Sequence, residues 1–69
     1  MVIFSERLKE LRIERQLSQK ELADLLSTGQ SSISAWERGE REPLAHQLVG
    51  LAGVFECSVD YLLGISDSK

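Results

Sequence analysis

The sequence predicts an all-α domain of five short helices, and three observations carry that prediction. Apolar residues recur at helical spacing, with no β-branched alternation of the kind strands show. Serines stand where helices begin, most clearly in Ser18-x-x-Glu21. Glycines stand where helices end, at Gly39 and Gly64. The chain is 69 residues long, 42% apolar and 28% charged, which is the size and composition of one globular domain. A chain this short hides only about 60% of its unfolded surface, so its stability is expected to be modest.

The first helix is expected to open at Ser5 as N-cap, with Glu6 in its first turn facing the helix dipole. Phe4, Leu8 and Leu11 form its apolar stripe, while Arg7, Lys9, Glu10, Arg12, Glu14 and Arg15 take the other faces. Ser18 and Glu21 make the capping box of a second helix, over about 19–26, which carries Leu22, Ala23, Leu25 and Leu26. Ser27, Thr28 and Gly29 break the chain. A third helix, over about 30–37, turns Ile33 and Trp36 inward and leaves Gln30, Ser31, Ser34 and Ala35 outward. The loop Glu40-Arg41-Glu42 leads to Pro43, which suits the entry to a fourth helix over about 44–55. Leu44, Leu48, Leu51 and Phe55 line its stripe, beside Ala45, Ala52 and Val54. Gly50 and Gly53 inside it cost roughly 1 kcal/mol each relative to alanine. Ser58 caps the last helix, over about 59–63, with Val59, Leu62 and Leu63 inward. The expected domain thus covers residues 1–64, and 65–69 form a polar tail or the start of a linker.

Charge and composition narrow the function. The net charge of −3 argues against a nucleic-acid binder until its distribution is considered. Residues 1–41 balance seven basic against seven acidic side chains, and the excess comes from Glu42, Glu56, Asp60 and Asp67 against Lys69. Cys57 is the single cysteine, which excludes an internal disulfide and suits a small core residue. His46 is the single histidine, so no base is at hand for a serine nucleophile and no metal set is evident. Neither enzyme activity nor a cofactor is expected. The start MVIFSERLKE lacks an apolar signal core, and no run approaches the roughly 18 apolar residues of a membrane span. A cytoplasmic protein without membrane contact is the default expectation.

The second and third helices, joined by about three residues, have helix-turn-helix form. The outward surface of the third is uncharged and bears amide and hydroxyl groups, where a solvated face more often carries Glu and Lys. A glutamine such as Gln30 can bond adenine N6 and N7 together in the major groove.

The segments SQKELADLL, QSSISAWERGEREP and CSVDYLLG, taken together, resemble the helix-turn-helix regulators of the phage lambda-repressor/Cro (Xre) family. The resemblance covers about residues 5–64 and implies a compact five-helix lambda-repressor-like DNA-binding domain. It implies a transcriptional repressor or regulator of phage or bacterial type, binding a double-stranded DNA operator as a homodimer on an inverted repeat. The family places Gln30, Ser31, Ser34 and Ala35 at or near bases, with a thymine methyl or no contact as the alternatives for Ala35. It places Ser18, Gln19, Lys20, Gly29, Arg38 and Arg41 toward phosphates, with Glu40 in the same loop. Arg12 and Glu37 match a structural pair tying the first helix to the end of the third. Val54, Val59 and Ile65 are the surface offered for dimerisation.

Four departures stand against the family pattern, one of them Ala35, where many relatives carry a longer polar residue. The turn runs Ser27, Thr28, Gly29, where the family has glycine, an aliphatic residue, then Ser or Thr. Glu56 stands where a helix-ending glycine is common. The loop after the third helix is usually basic, but here Glu40 and Glu42 flank Arg41, which implies weaker binding and a shallower salt dependence. The same acidity supports a rival reading, a protein-interaction module of this fold whose partner is a toxin or an antirepressor.

Overall fold

The computed structural model describes residues 3–69, and among these the regular elements are all helical. They are α1 (Phe4–Glu14), α2 (Gln19–Leu25), α3 (Gln30–Glu37), α4 (Ala45–Phe55) and α5 (Val59–Leu62). None exceeds 11 residues, below the roughly 12–15 at which an isolated helix becomes marginal in water. Packing and caps must therefore hold each of them. Leu8, Leu11, Leu22, Ala23, Ile33, Trp36, Leu51, Phe55 and Leu62 form one buried core, with every helix contributing. Phe4, Leu17, Leu26, Ala52, Val54, Cys57 and Tyr61 pack around it, half-buried. Burial also pushes the Cys57 thiol above its ordinary pKa.

The caps largely follow the sequence. Ser18 Oγ accepts the Glu21 amide at 3.0 Å, and the Ser18 amide donates to Glu21 Oε1 at 2.8 Å, completing the capping box. Hydrogen bonding from Ser18, its backbone amide first and its side chain second, holds the Glu21 carboxyl below its usual range. Ser58 Oγ likewise accepts the Tyr61 amide at 3.0 Å. Ser27 and Glu56, both flagged as standing in glycine positions, take left-handed φ values of 55° and 53°. Gln16 does the same at 56°, ending α1, with no sequence signal to announce it.

Several expectations need correction. Ser5 does not cap α1: the helix starts at Phe4 with Ile3 as N-cap and no side-chain cap bond. Beginning there carries Phe4 on the helix and onto the core. Leu44 is 63% exposed and lies outside the α4 stripe, because it serves as the N-cap. Its amide donates to Gln47 Oε1 at 2.7 Å. Leu25 is 59% exposed, because α2 turns Leu22 and Ala23 into the core. Arg7 was assigned to an outer face but is only 6% exposed. The return of α5 places the Tyr61 ring over its guanidinium, 3.8 Å from Cζ to the ring centroid. Ala35, assigned outward on α3, is 5% exposed and belongs to the packed side of that helix with Ile33 and Trp36.

One tie links the start of the fold to its middle. Arg12 Nε and Nη2 donate to Glu37 Oε2 and Oε1 at 2.6 and 3.1 Å, and Arg12 Nη1 donates to the Leu17 carbonyl at 2.8 Å. The side chains are 14% and 5% exposed. The Glu37 hydrogen bond holds the Arg12 guanidinium above its ordinary pKa.

These arrangements generate three predictions. Arg12→Ala strands the Glu37 carboxylate and should cost about 2–4 kcal/mol in urea unfolding; a loss under about 1 kcal/mol would refute a structural role for the pair. Gly53 has nothing within 4 Å of an added Cβ, whereas a Cβ at Gly50 would meet Leu26 Cδ2 at 3.1 Å. Gly53→Ala should therefore stabilise by about 0.5–1 kcal/mol and raise Tm by a few degrees, with Gly50→Ala gaining clearly less. Equal gains at the two sites would show that Leu26 imposes no limit. The lowered Glu21 pKa makes the capping box stabilising above the ordinary carboxylate range and progressively lost as pH falls through the lowered value. Glu21→Gln should accordingly flatten the acid side of the Tm–pH curve, and an unchanged acid limb would contradict it.

Candidate nucleic-acid interface

The first turn of α2, the outer side of α3 and the loop after it supply the candidate residues. α2 begins at the capping box, which fixes where Ser18, Gln19 and Lys20 stand. The break to α3 is held by the Thr28 amide donating to the Ala23 carbonyl at 2.9 Å, with Ser27 in the left-handed region. Gly29 is the N-cap of α3 and makes no side-chain cap bond. The absence of a capping side chain leaves the start of α3 unobstructed at the point where Gln30 and Ser31 emerge, both exposed. Gly39, at φ 73°, turns the chain out of α3, a conformation that favours glycine.

A chain of hydrogen bonds runs from the ion pair to this surface. Glu37 Oε1, already bound by Arg12, also accepts from Gln19 Nε2 at 3.2 Å. Gln19 Oε1 in turn accepts from Gln30 Nε2 at 3.5 Å, a long bond. Gln19 is half-buried and Gln30 exposed. The amide of Gln30 thus lies beside the network that Glu37 anchors, at the outer limit of hydrogen-bond distance from Gln19. Its Nε2 retains a second N–H, and its Oε1 is an acceptor, so a donor and an acceptor remain side by side for an outside partner.

Two cations of the site, Lys20 and Arg38, already hold partners. Lys20 Nζ lies 3.3 Å from Asp24 Oδ2, one helical turn away. Arg38 Nε donates to Glu40 Oε1 and Oε2 at 3.0 and 2.9 Å, and Arg38 Nη1 donates to Ser34 Oγ. Ser34 is half-buried, while Arg38, Glu40 and Arg41 are exposed. The structure therefore gathers Gln19, Gln30 and Glu37 into one network, and Ser34, Arg38 and Glu40 into another. Ala35 joins neither and faces inward. Sequence reasoning missed the bridging place of Gln19 and the contacts of Asp24 and Glu40. The four-residue spacing of Lys20 and Asp24 was a signal for the first of these contacts.

Known proteins share both the sequence pattern and the geometry. The family described as Helix-turn-helix matches residues 8–62. An uncharacterised HTH-type transcriptional regulator of Bacillus subtilis, YqaE, is 38% identical over 68 residues, covering 97% of this chain and 59% of that protein. The chain thus spans about three fifths of the length of that relative. The c2 repressor of Salmonella phage P22, in a crystal structure with a synthetic operator, superimposes with a TM-score of 0.86 at 33% identity. That superposition covers 91% of this chain and 96% of the repressor chain. The same fold matches a third of an enzyme, hydroxypropylphosphonic acid epoxidase from S. wedmorenis, with a TM-score of 0.79 at 34% identity over 87% of this chain and 32% of that one. Fold alone therefore does not decide activity. The paired short helices, the left-handed turn at Ser27 and the family pattern across residues 8–62 agree: this chain belongs to the helix-turn-helix family of the phage lambda-repressor/Cro type.

Proposed function

We propose that this chain is the DNA-binding part of a transcriptional regulator, without enzymatic activity, that reads double-stranded DNA with α3 in the major groove. One observation carries the reading: Gln30 stands exposed at the start of α3 with its amide oriented by Gln19, which hangs on the buried Glu37. A glutamine so held offers its remaining N–H to adenine N7 and its oxygen to adenine N6. Ser31 and Ser34 lie on the same helix, able to donate to or accept from base edges. Ser18, Gln19, Lys20, Gly29, Arg38 and Arg41 take phosphates on either side, the α2 N-terminus adding backbone N–H groups. The P22 repressor, which shares this fold, is described in complex with an operator, and that likeness supports the same ligand class here.

Binding as a homodimer on an inverted repeat follows from the family geometry, with half-sites about 34 Å apart. Ile65 is 69% exposed and Val54 and Val59 are half-buried, so the apolar surface offered for self-association is small. Among the described residues no helix is long and apolar enough to cross a membrane. A second reading, a module of this fold that binds a toxin or an antirepressor, draws on the neutralisation of Arg38 by Glu40.

Selection of binders from a random duplex library tests the proposal. Recovery of an inverted repeat establishes a dimeric, sequence-reading regulator; recovery of nothing, or of unselective DNA, moves the lead to the protein-binding reading. On the recovered site, Gln30→Ala should lose about 1–3 kcal/mol at one base position and relax preference there. A uniform loss across all sequences would show that Gln30 does not read a base.

A further inference from the structure

Arg38, the C-cap of α3, is a cation at the edge of the candidate interface, and it is already occupied. Glu40, two residues on, presents both carboxylate oxygens to its Nε, at 3.0 and 2.9 Å. Ser34 Oγ takes its Nη1 from the other side. The Arg38 and Glu40 side chains are 57% and 51% exposed, so the pair lies in water and can open. A carboxylate and a phosphate compete for the same guanidinium donors, both accepting from the planar fork through paired oxygens. A phosphate that approaches Arg38 must therefore displace Glu40 from the Nε edge or settle beside a like charge.

We propose that Glu40 is an intramolecular competitor for the DNA phosphate on Arg38, and that it sets the affinity of the domain for DNA and the dependence of that affinity on salt. The inference rests on the DNA-binding reading above and deepens it. Its physical content lies in the ion count. When a free arginine meets a phosphate, DNA releases a condensed cation, and log K falls with log salt by about 0.9 for each such contact. When the arginine must first leave a carboxylate, that carboxylate takes up a cation from solution. Release and uptake then nearly cancel, so the contact contributes little to the salt slope. The acidic loop thereby becomes a means of weakening electrostatic attraction while Gln30 and its neighbours read the sequence.

The test measures binding of the full chain to the duplex recovered by library selection, by fluorescence anisotropy over a series of salt concentrations. The variants are Glu40→Gln, Arg38→Gln, the double variant, and Glu42→Gln as a control with the same change of charge. Circular dichroism establishes that each is folded. Glu40→Gln should bind about two- to fivefold tighter at about 0.1 M salt, with a slope steeper by about 0.9. In the Arg38→Gln background the gain should fall to that of Glu42→Gln. A gain undiminished in that background, or matched by Glu42→Gln in the otherwise unaltered chain, would assign the effect to net charge and overturn the proposal. No gain at all overturns it as well. If the selection returns no duplex, the DNA-binding reading fails and this inference with it, an outcome distinct from a protein that binds DNA and ignores Glu40.

Discussion

Arg12 has its guanidinium where three segments of the chain meet, and much of the structure is arranged around satisfying it. Two of its nitrogens bind Glu37 at the end of α3, and a third binds the Leu17 carbonyl in the connection to α2. A charge so little exposed is tolerated only when its hydrogen bonds are complete. The end of α1, the entry to α2 and the end of α3 are thereby held in one geometry. Glu37 has an oxygen to spare for Gln19, and Gln19 reaches Gln30. The surface that would meet DNA is therefore oriented from inside the protein, by a pair that does not itself lie on that surface.

Around this tie the domain solves the problem of being small. Helices of 4–11 residues do not hold themselves, and each is finished by a local device. Ser18 and Ser58 satisfy N-terminal amides, while Gly39 and Gly64 turn the chain at positive φ. Gln16, Ser27 and Glu56 make comparable turns without glycine. For residues with a Cβ that conformation costs roughly 1–2 kcal/mol each, and the surrounding packing must offset it. Gly50 serves differently: its missing side chain lets α4 come close to Leu26 at the end of α2.

The far side of α1 carries a second buried cation with a different solution. Arg7 is covered by α5, and the face of the Tyr61 ring takes its guanidinium. Its Nε is buried without a hydrogen-bond partner. Ring contacts of this kind return about 0.5–2 kcal/mol, less than the bidentate carboxylate returns to Arg12. Tyr61 thus joins the short α5 to the first helix through its π-face, and it packs half-buried against the core. The acidic excess of the chain, which first argued against a DNA partner, lies at Glu42, Glu56, Asp60 and Asp67, while Arg38 with Glu40 and Lys20 with Asp24 neutralise one another locally.

The sequence by itself determined what depends on near neighbours. Helical spacing, the Ser18–Glu21 box, Ser58, Gly39 and Gly64 placed the last four helices within a residue of their observed ends, because caps and periodicity act over one turn, whereas the first helix begins two residues before its expected start. It also marked Gln30 and Ser31 as the exposed start of α3, and the family resemblance marked Ser27 and Glu56 as residues in glycine positions. Only the tertiary structure decided which face each helix lost to its neighbours. Arg7 and Ala35 lie inward because α5 and the packing of α3 cover sides that periodicity assigned to solvent. Leu25 and Leu44 lie outward because an apolar side chain is buried only where another element reaches it. The union of Gln19, Gln30 and Glu37 came from the same source, since its members lie up to 18 residues apart and no local rule connects them. Contacts at that separation are set by how the helices pack.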